Sequence, residues 1–155
     1  TGVQTCALPI SEETLYRALV LSNLTALLQK RGIGRLSAFC GAVCAACGSG
    51  AGITYLHGGD YDAISRTITN TLANASGIVC DGAKGSCAAK IATSVDAAIL
   101  GHEMSLDGNT FGAGEGLVKE NVEKTIASIG RMAADGMRET DSEILRIMID
   151  QGSGC

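Results

Sequence analysis

From Cys40 to Gly52 the chain reads CGAVCAACGSGAG, and Val43 is its bulkiest side chain. A segment so short of volume cannot fill a gap between distant elements. It joins a core only by letting backbones approach closely, as small residues do where helices cross. The whole chain shares this character, with 21 Gly, three Tyr, two Phe and no Trp among 155 residues. Its core must come from Ala, Val, Ile and Leu, whereas a sandwich or barrel would call for more aromatic and β-branched strands. No convincing alternating strand pattern and no long-period repeat occurs. The expected fold is all-α: one compact bundle of about five to seven helices joined by glycine-rich loops.

Local signals place the helices. Ser11 followed by Glu12 and Glu13 is a hydroxyl cap with acids in the first turn. Leu15, Leu19, Leu24, Leu27 and Leu28 recur near a helical period, so a helix is expected over 12–30. A second, small-residue helix is expected over 36–46, broken or kinked by GSGAG. Asp60 caps a third, and 77–85 reads as a glycine-containing loop. Helices follow over 86–100, 117–134 and 139–149, with a long glycine-rich connection after the first and Gly136 breaking the second.

Charge and hydropathy narrow the function. The net charge is −4, with no basic stripe, which gives no support to nucleic-acid binding. The apolar runs are short and interrupted, so no membrane span is expected, and no signal peptide is visible. Seven cysteines in a long, Ala-rich helical chain suit a reducing, cytoplasmic setting and point to metal or redox chemistry. DGNTFGAGEG lacks the Gly-Lys-Ser/Thr ending and preceding strand of a phosphate loop, and GSGAG lacks a βαβ unit, so nucleotide binding is excluded.

The first ten residues, TGVQTCALPI, differ in texture, holding the only proline and no charge. With permitted codons they reverse-translate into a common sequencing-adapter read. Residues 1–10, with Cys6, are therefore expected to be a cloning or assembly scar, and residues 11–155 the C-terminal helical domain of a natural protein whose N-terminal portion is missing. An absent portion would leave an apolar face uncovered.

The cysteines fall into two clusters. Cys40, Cys44 and Cys47 have the C-x3-C-x2-C spacing of the radical S-adenosylmethionine motif, but the flanks read as helix and Ala46 replaces the aromatic usual there. On a continuous helix the three share one face, and for Cys44 and Cys47 tight packing is the preferred reading. Cys80 and Cys87 flank a loop holding Gly82 and Gly85, which could wrap a compact group, with Lys84 adding positive charge. Two structural thiols are the alternative. A closed zinc site wants four ligands in two short-spaced pairs, and only one such pair is clear. His57 reads as a loop residue, and His102 as one meeting the last carbonyls of a helix.

At SGIVCDGAKGSCAAKIATSVDAAILG the sequence resembles the L-cysteine desulfidases, a family related to the iron–sulfur L-serine dehydratase alpha subunit. The likeness continues through GEGLVKENVEKTIASIGRMAADGMRETDSEIL and GRLSAFCGAVCAACGSGAGITYL, covering Ser11 to Ile149. The resemblance implies a serine dehydratase alpha-like helical fold and a [4Fe–4S] cluster held by Cys40, Cys80 and Cys87, whose sulfurs should converge to roughly 6–7 Å. It implies α,β-elimination of L-cysteine to pyruvate, ammonia and hydrogen sulfide, or of L-serine in the related enzymes, without pyridoxal phosphate. The base and the carboxylate contacts would lie largely in the missing N-terminal portion, an expected partner beside the small amino-acid substrate and a second copy of the chain. In related serine dehydratases a C-terminal cysteine tail can cap the open iron, so Cys155, on its Gly-Ser-Gly tether, is expected either to do the same or to be a frayed or artefactual end. The contrasting expectation is a non-catalytic, cysteine-rich metal-binding module using Cys40, Cys44 and Cys47.

Overall fold

In a computed structural model, residues 10–150 are described. The expected scar, apart from Ile10, lies outside them, as do Cys6 and the Cys155 tail. The described residues form six α-helices: α1 Glu12–Ile33, α2 Gly41–Leu56, α3 Tyr61–Ala75, α4 Gly85–Leu106, α5 Val122–Arg131 and α6 Arg138–Asp150. A short π-helical turn, Met132–Gly136, links the last two. Among the described residues no strand forms, and the all-α expectation holds. The only β pairing there is an isolated antiparallel bridge between Phe39 and Val79.

The caps follow the sequence. The Ser11 hydroxyl accepts from the Thr14 amide at 3.1 Å, and Asp60 accepts from the Ala63 amide at 2.9 Å. Asn121 caps α5 through the Lys124 amide at 2.8 Å, so that helix starts at Val122 rather than at Leu117. Helix α4 runs to Leu106, beyond the expected 100, and is closed by the left-handed Gly108. Gly136 ends the π turn rather than the helix itself.

The main correction concerns α2. GSGAG neither breaks nor kinks off the helix, which continues through it to Leu56. A Cβ on Gly48 would lie 2.3 Å from the Ser22 carbonyl oxygen of α1, and one on Gly52 3.2 Å from that of Ala18. One on Gly50 would press on Thr67 of α3 and Ala98 of α4, at 3.2 Å from each. Glycine's poor helix propensity is overridden because these crossings exclude any side chain. Helix α2 is thus the central element, packed against α1, α3 and α4. Its Val43, Cys47 and Ala51 share the core with Phe39, Leu72 and Ile129.

This close crossing decides which face of α1 turns inward. Ala18, Thr25 and Gln29 are buried, and the Ser22 backbone sits on Gly48. The leucines that mark the helical period turn away: Leu19, Leu24, Leu27 and Leu28 are exposed. An apolar stripe ordinarily faces a core. Opposite Gly48 and Gly52 the inward face is small, Ser22 and Ala18, because bare α2 backbone approaches there, while Leu21, Gln29 and Ile33 pack inward elsewhere along the helix.

Candidate functional site

The site is built where α2 begins. The Cys40 amide donates to the Ile78 carbonyl at 3.0 Å, and the Cys80 amide donates to the Ala38 carbonyl at 2.6 Å. These bonds flank the Phe39–Val79 bridge. The two bonds tie the backbone of Cys40 and Cys80 into one pairing, in which each is a diagonal neighbour of the other. Phe39 is buried in the core and anchors the pairing. Diagonal neighbours across such a pair lie about 7–8 Å apart. Cys40 is buried and Cys80 exposed.

Cys87 comes from the next element. It is the third residue of α4, half-buried, and its amide donates to the Lys84 carbonyl at 2.9 Å. Between Cys80 and α4 the loop turns at Gly82, whose φ of 90° favours glycine. Cys40 is the N-cap of α2, and Cys87 lies in the first turn of α4. Both therefore sit where unpaired amides and the helix dipole favour negative charge.

Lysines reinforce that field. Lys84 is the exposed N-cap of α4. Lys90, which the sequence reading passed over, is placed more centrally. It follows Cys87 by three residues on the same helix face, and its ammonium pairs with Asp81, next to Cys80. Hydrogen bonding to Asp81 holds Lys90 above the ordinary lysine range, and charge on Cys40 and Cys80 adds to this. The same hydrogen bond holds Asp81 below the usual carboxylate range. Lys90 is thus tied to the segments carrying all three cysteines. The available signal was Cys-x2-Lys on a helix, paired with an acid beside the preceding cysteine.

Cys44 and Cys47 differ in kind. Both are buried in the core. Burial pushes the Cys44 thiol up to about 11 and the Cys47 thiol up to about 12. They behave as small core residues rather than ready ligands. His57 and His102 lie at the far end of α2 and α4, their rings 4.8 Å apart. His102 does not meet terminal carbonyls: it is buried, with Nδ1 2.9 Å from the Thr54 hydroxyl. His57 caps α2, its Nδ1 bonded to the Ile53 carbonyl at 3.0 Å.

As a donor set, Cys40, Cys80 and Cys87 fit an iron–sulfur group in kind, being thiols near helix N-termini and lysine charge. In spacing, no three His, Cys, Asp or Glu side chains among the described residues form a group that could hold a metal ion. The bridge pairs the backbone segments of Cys40 and Cys80, and Cys87 follows across the loop in the first turn of α4.

A family profile described as serine dehydratase alpha chain matches residues 2–146. The chain belongs to the serine dehydratase alpha chain family. Among its relatives, a UPF0597 protein of Desulfitobacterium hafniense is 62% identical over 142 residues, covering 92% of this chain and 33% of that protein. A UPF0597 protein of Treponema denticola is 56% identical over 140 residues, 90% of this chain and 32% of that protein. One from Bacteroides fragilis is 44% identical over 142 residues, 92% of this chain and 33% of that protein. This serine dehydratase alpha-type chain therefore spans about a third of the length of these relatives. No solved structure matches it. No helix among its described residues is long and apolar enough to cross a membrane.

Proposed function

We propose that this chain is the cluster-bearing part of a cytoplasmic iron–sulfur lyase that converts L-cysteine and water to pyruvate, ammonia and hydrogen sulfide. Cys40, Cys80 and Cys87 would hold a [4Fe–4S] cluster. When bound, such a cluster supplies a Lewis-acidic iron for the β-leaving group. Cys40 and Cys87 present sulfur at helix N-termini, Cys80 presents it from the paired loop, and Lys90 sets positive charge beside them. Cys44 and Cys47 keep the helix behind the site packed. The base and the carboxylate contacts belong to the rest of the longer protein, so this chain alone is expected to be inactive.

The observation that supports the reading is the Phe39–Val79 bridge, whose flanking backbone bonds are donated by the amides of Cys40 and Cys80, residues distant in sequence. L-Serine is the second reading for the substrate, favoured by the description of the matched family.

The test is anaerobic reconstitution with iron and sulfide, read by visible absorption and by iron and sulfide content. Loss of the cluster in Cys40→Ala, Cys80→Ala and Cys87→Ala, with retention in Cys44→Ala and Cys47→Ala, supports the three-cysteine site. Loss in Cys44→Ala and Cys47→Ala, with the Cys80 and Cys87 variants unaffected, would leave only a local metal-binding helix. Substrate choice is then read in the full-length protein, by comparing hydrogen sulfide release from cysteine with pyruvate release from serine.

A further inference from the structure

Helix α1 carries its large apolar side chains on the side facing away from the bundle. Tyr16, Val20, Leu24 and Leu28 recur in steps of four, with Leu27 beside them, and each is more than half exposed. This stripe lies across the helix from Ala18, Thr25 and Gln29, which pack on α2. It borders an apolar groove of about 620 Å³ between α1, α3 and α5, whose floor includes Ile64, Val122 and Ile126. Arg17 and Glu123 stand at the groove and supply charge of both signs. A ridge of large side chains beside an open groove is the profile of one half of a helix-packing interface.

We infer that this face is the docking surface for the portion of the longer family proteins that lies outside the third matched here. The length argues for that occupant, since this chain covers 33% of the Desulfitobacterium relative and 32% of the Treponema relative. The residue choice argues the same way. At the crossing the α2 glycines meet Ala18 and Ser22, and Leu21 and Ile33 join the core, while Tyr16, Val20, Leu24, Leu27 and Leu28 stay exposed. The leucines therefore serve another body. This body supplies apolar surface that fills the groove, while Arg17, paired with Glu13, and Glu123, bonded to the Tyr61 hydroxyl, form its polar edge.

The inference rests on that part of the proposed function which makes this chain one piece of a longer lyase. Cluster reconstitution tests the cysteine part on the chain alone, so the two can fail separately. The experiment co-expresses this chain with the unmatched portion of the Desulfitobacterium protein and measures co-purification and stoichiometry by size exclusion with light scattering. A 1:1 complex is expected, reduced at least ten-fold in recovery by Leu24→Glu or Val20→Glu. Both variants alone should keep the melting temperature of the unmodified chain, because the positions are exposed. Three results would overturn the proposal. The unmatched portion, recovered soluble beside this chain, could elute separately, the variants could bind as the unmodified chain does, or Leu24→Glu could dissolve a homodimer while leaving co-purification intact.

Discussion

Lys90 reaches back across the first turn of α4 to pair with Asp81, on the far side of the cysteine loop. The ion pair holds the loop against the helix between Cys80 and Cys87, and the Lys90 side chain is only 22% exposed. A half-buried cation there offsets the negative charge of several thiolates more effectively than one in bulk water.

Replacing Lys90 by Gln is expected to weaken cluster retention about ten-fold or more, the scale on which groups behind metal ligands act. The reduction potential of what remains should fall, since removing a positive charge disfavours the added electron. Lys90→Arg should keep most of both. Iron content after chelator challenge and anaerobic redox titration are the measurements. Equal behaviour of the Gln and Arg variants would rule out a charge role.

Gly48 tests the crossing on which the bundle depends. A methyl group at 2.3 Å from the Ser22 carbonyl cannot be accommodated without moving α1 or α2. Gly48→Ala should cost about 1–3 kcal/mol, the usual penalty for overpacking, despite alanine's better helix propensity. Urea unfolding followed by circular dichroism measures it. A stabilised variant would mean that the helices do not cross this closely.

The thiols should separate by reactivity. Cys80 is exposed and Cys87 half-buried, whereas Cys44 and Cys47 are buried and held protonated well above neutrality. Alkylation of the native chain at pH 8, mapped by mass spectrometry, should label Cys80 and Cys87 first and leave Cys44 and Cys47 until unfolding. In the unfolded chain the latter two return to about the ordinary thiol value of 9.0. Above that pH the unfolded state loses protons that the folded state keeps, so stability should fall as pH rises from 9 toward 11. Cys44→Ala together with Cys47→Ala should flatten that slope.

His102 predicts the opposite limb. Burial holds its imidazole below the ordinary range, and charge on the neighbouring His57 adds to this while Glu103 opposes it. Folded His102 is neutral against Thr54, but the unfolded side chain protonates as pH falls through 6.5. Its contribution is complete above that value and is lost as pH falls below it. The melting temperature should drop between pH 7.5 and 5, and His102→Asn should lessen the drop while lowering stability at pH 7.5. A parallel pH curve in the variant would assign the drop to other groups.

Much of this was readable in one dimension. The caps at Ser11 and Asp60 lie within three residues of the amides they satisfy, so local sequence was enough to find them. The near absence of aromatic volume forces small-residue helix packing, and hence the all-α class. The two cysteine clusters were visible from spacing alone.

What the sequence could not settle was decided between elements. GSGAG reads locally as a breaker, but it stays helical because three other helices press against it. The leucine period of α1 was legible, but its direction was not, because direction depends on whether the partner offers holes or bare backbone. The pairing of Phe39 with Val79 and the reach of Lys90 join residues from separate segments, and no local pattern records such contacts. Sequence by itself determined which residues could be helical and which could be ligands. Only tertiary packing, where burial and close approach outweigh propensities of a fraction of a kcal/mol per residue, decided which faces meet and which cysteines are buried.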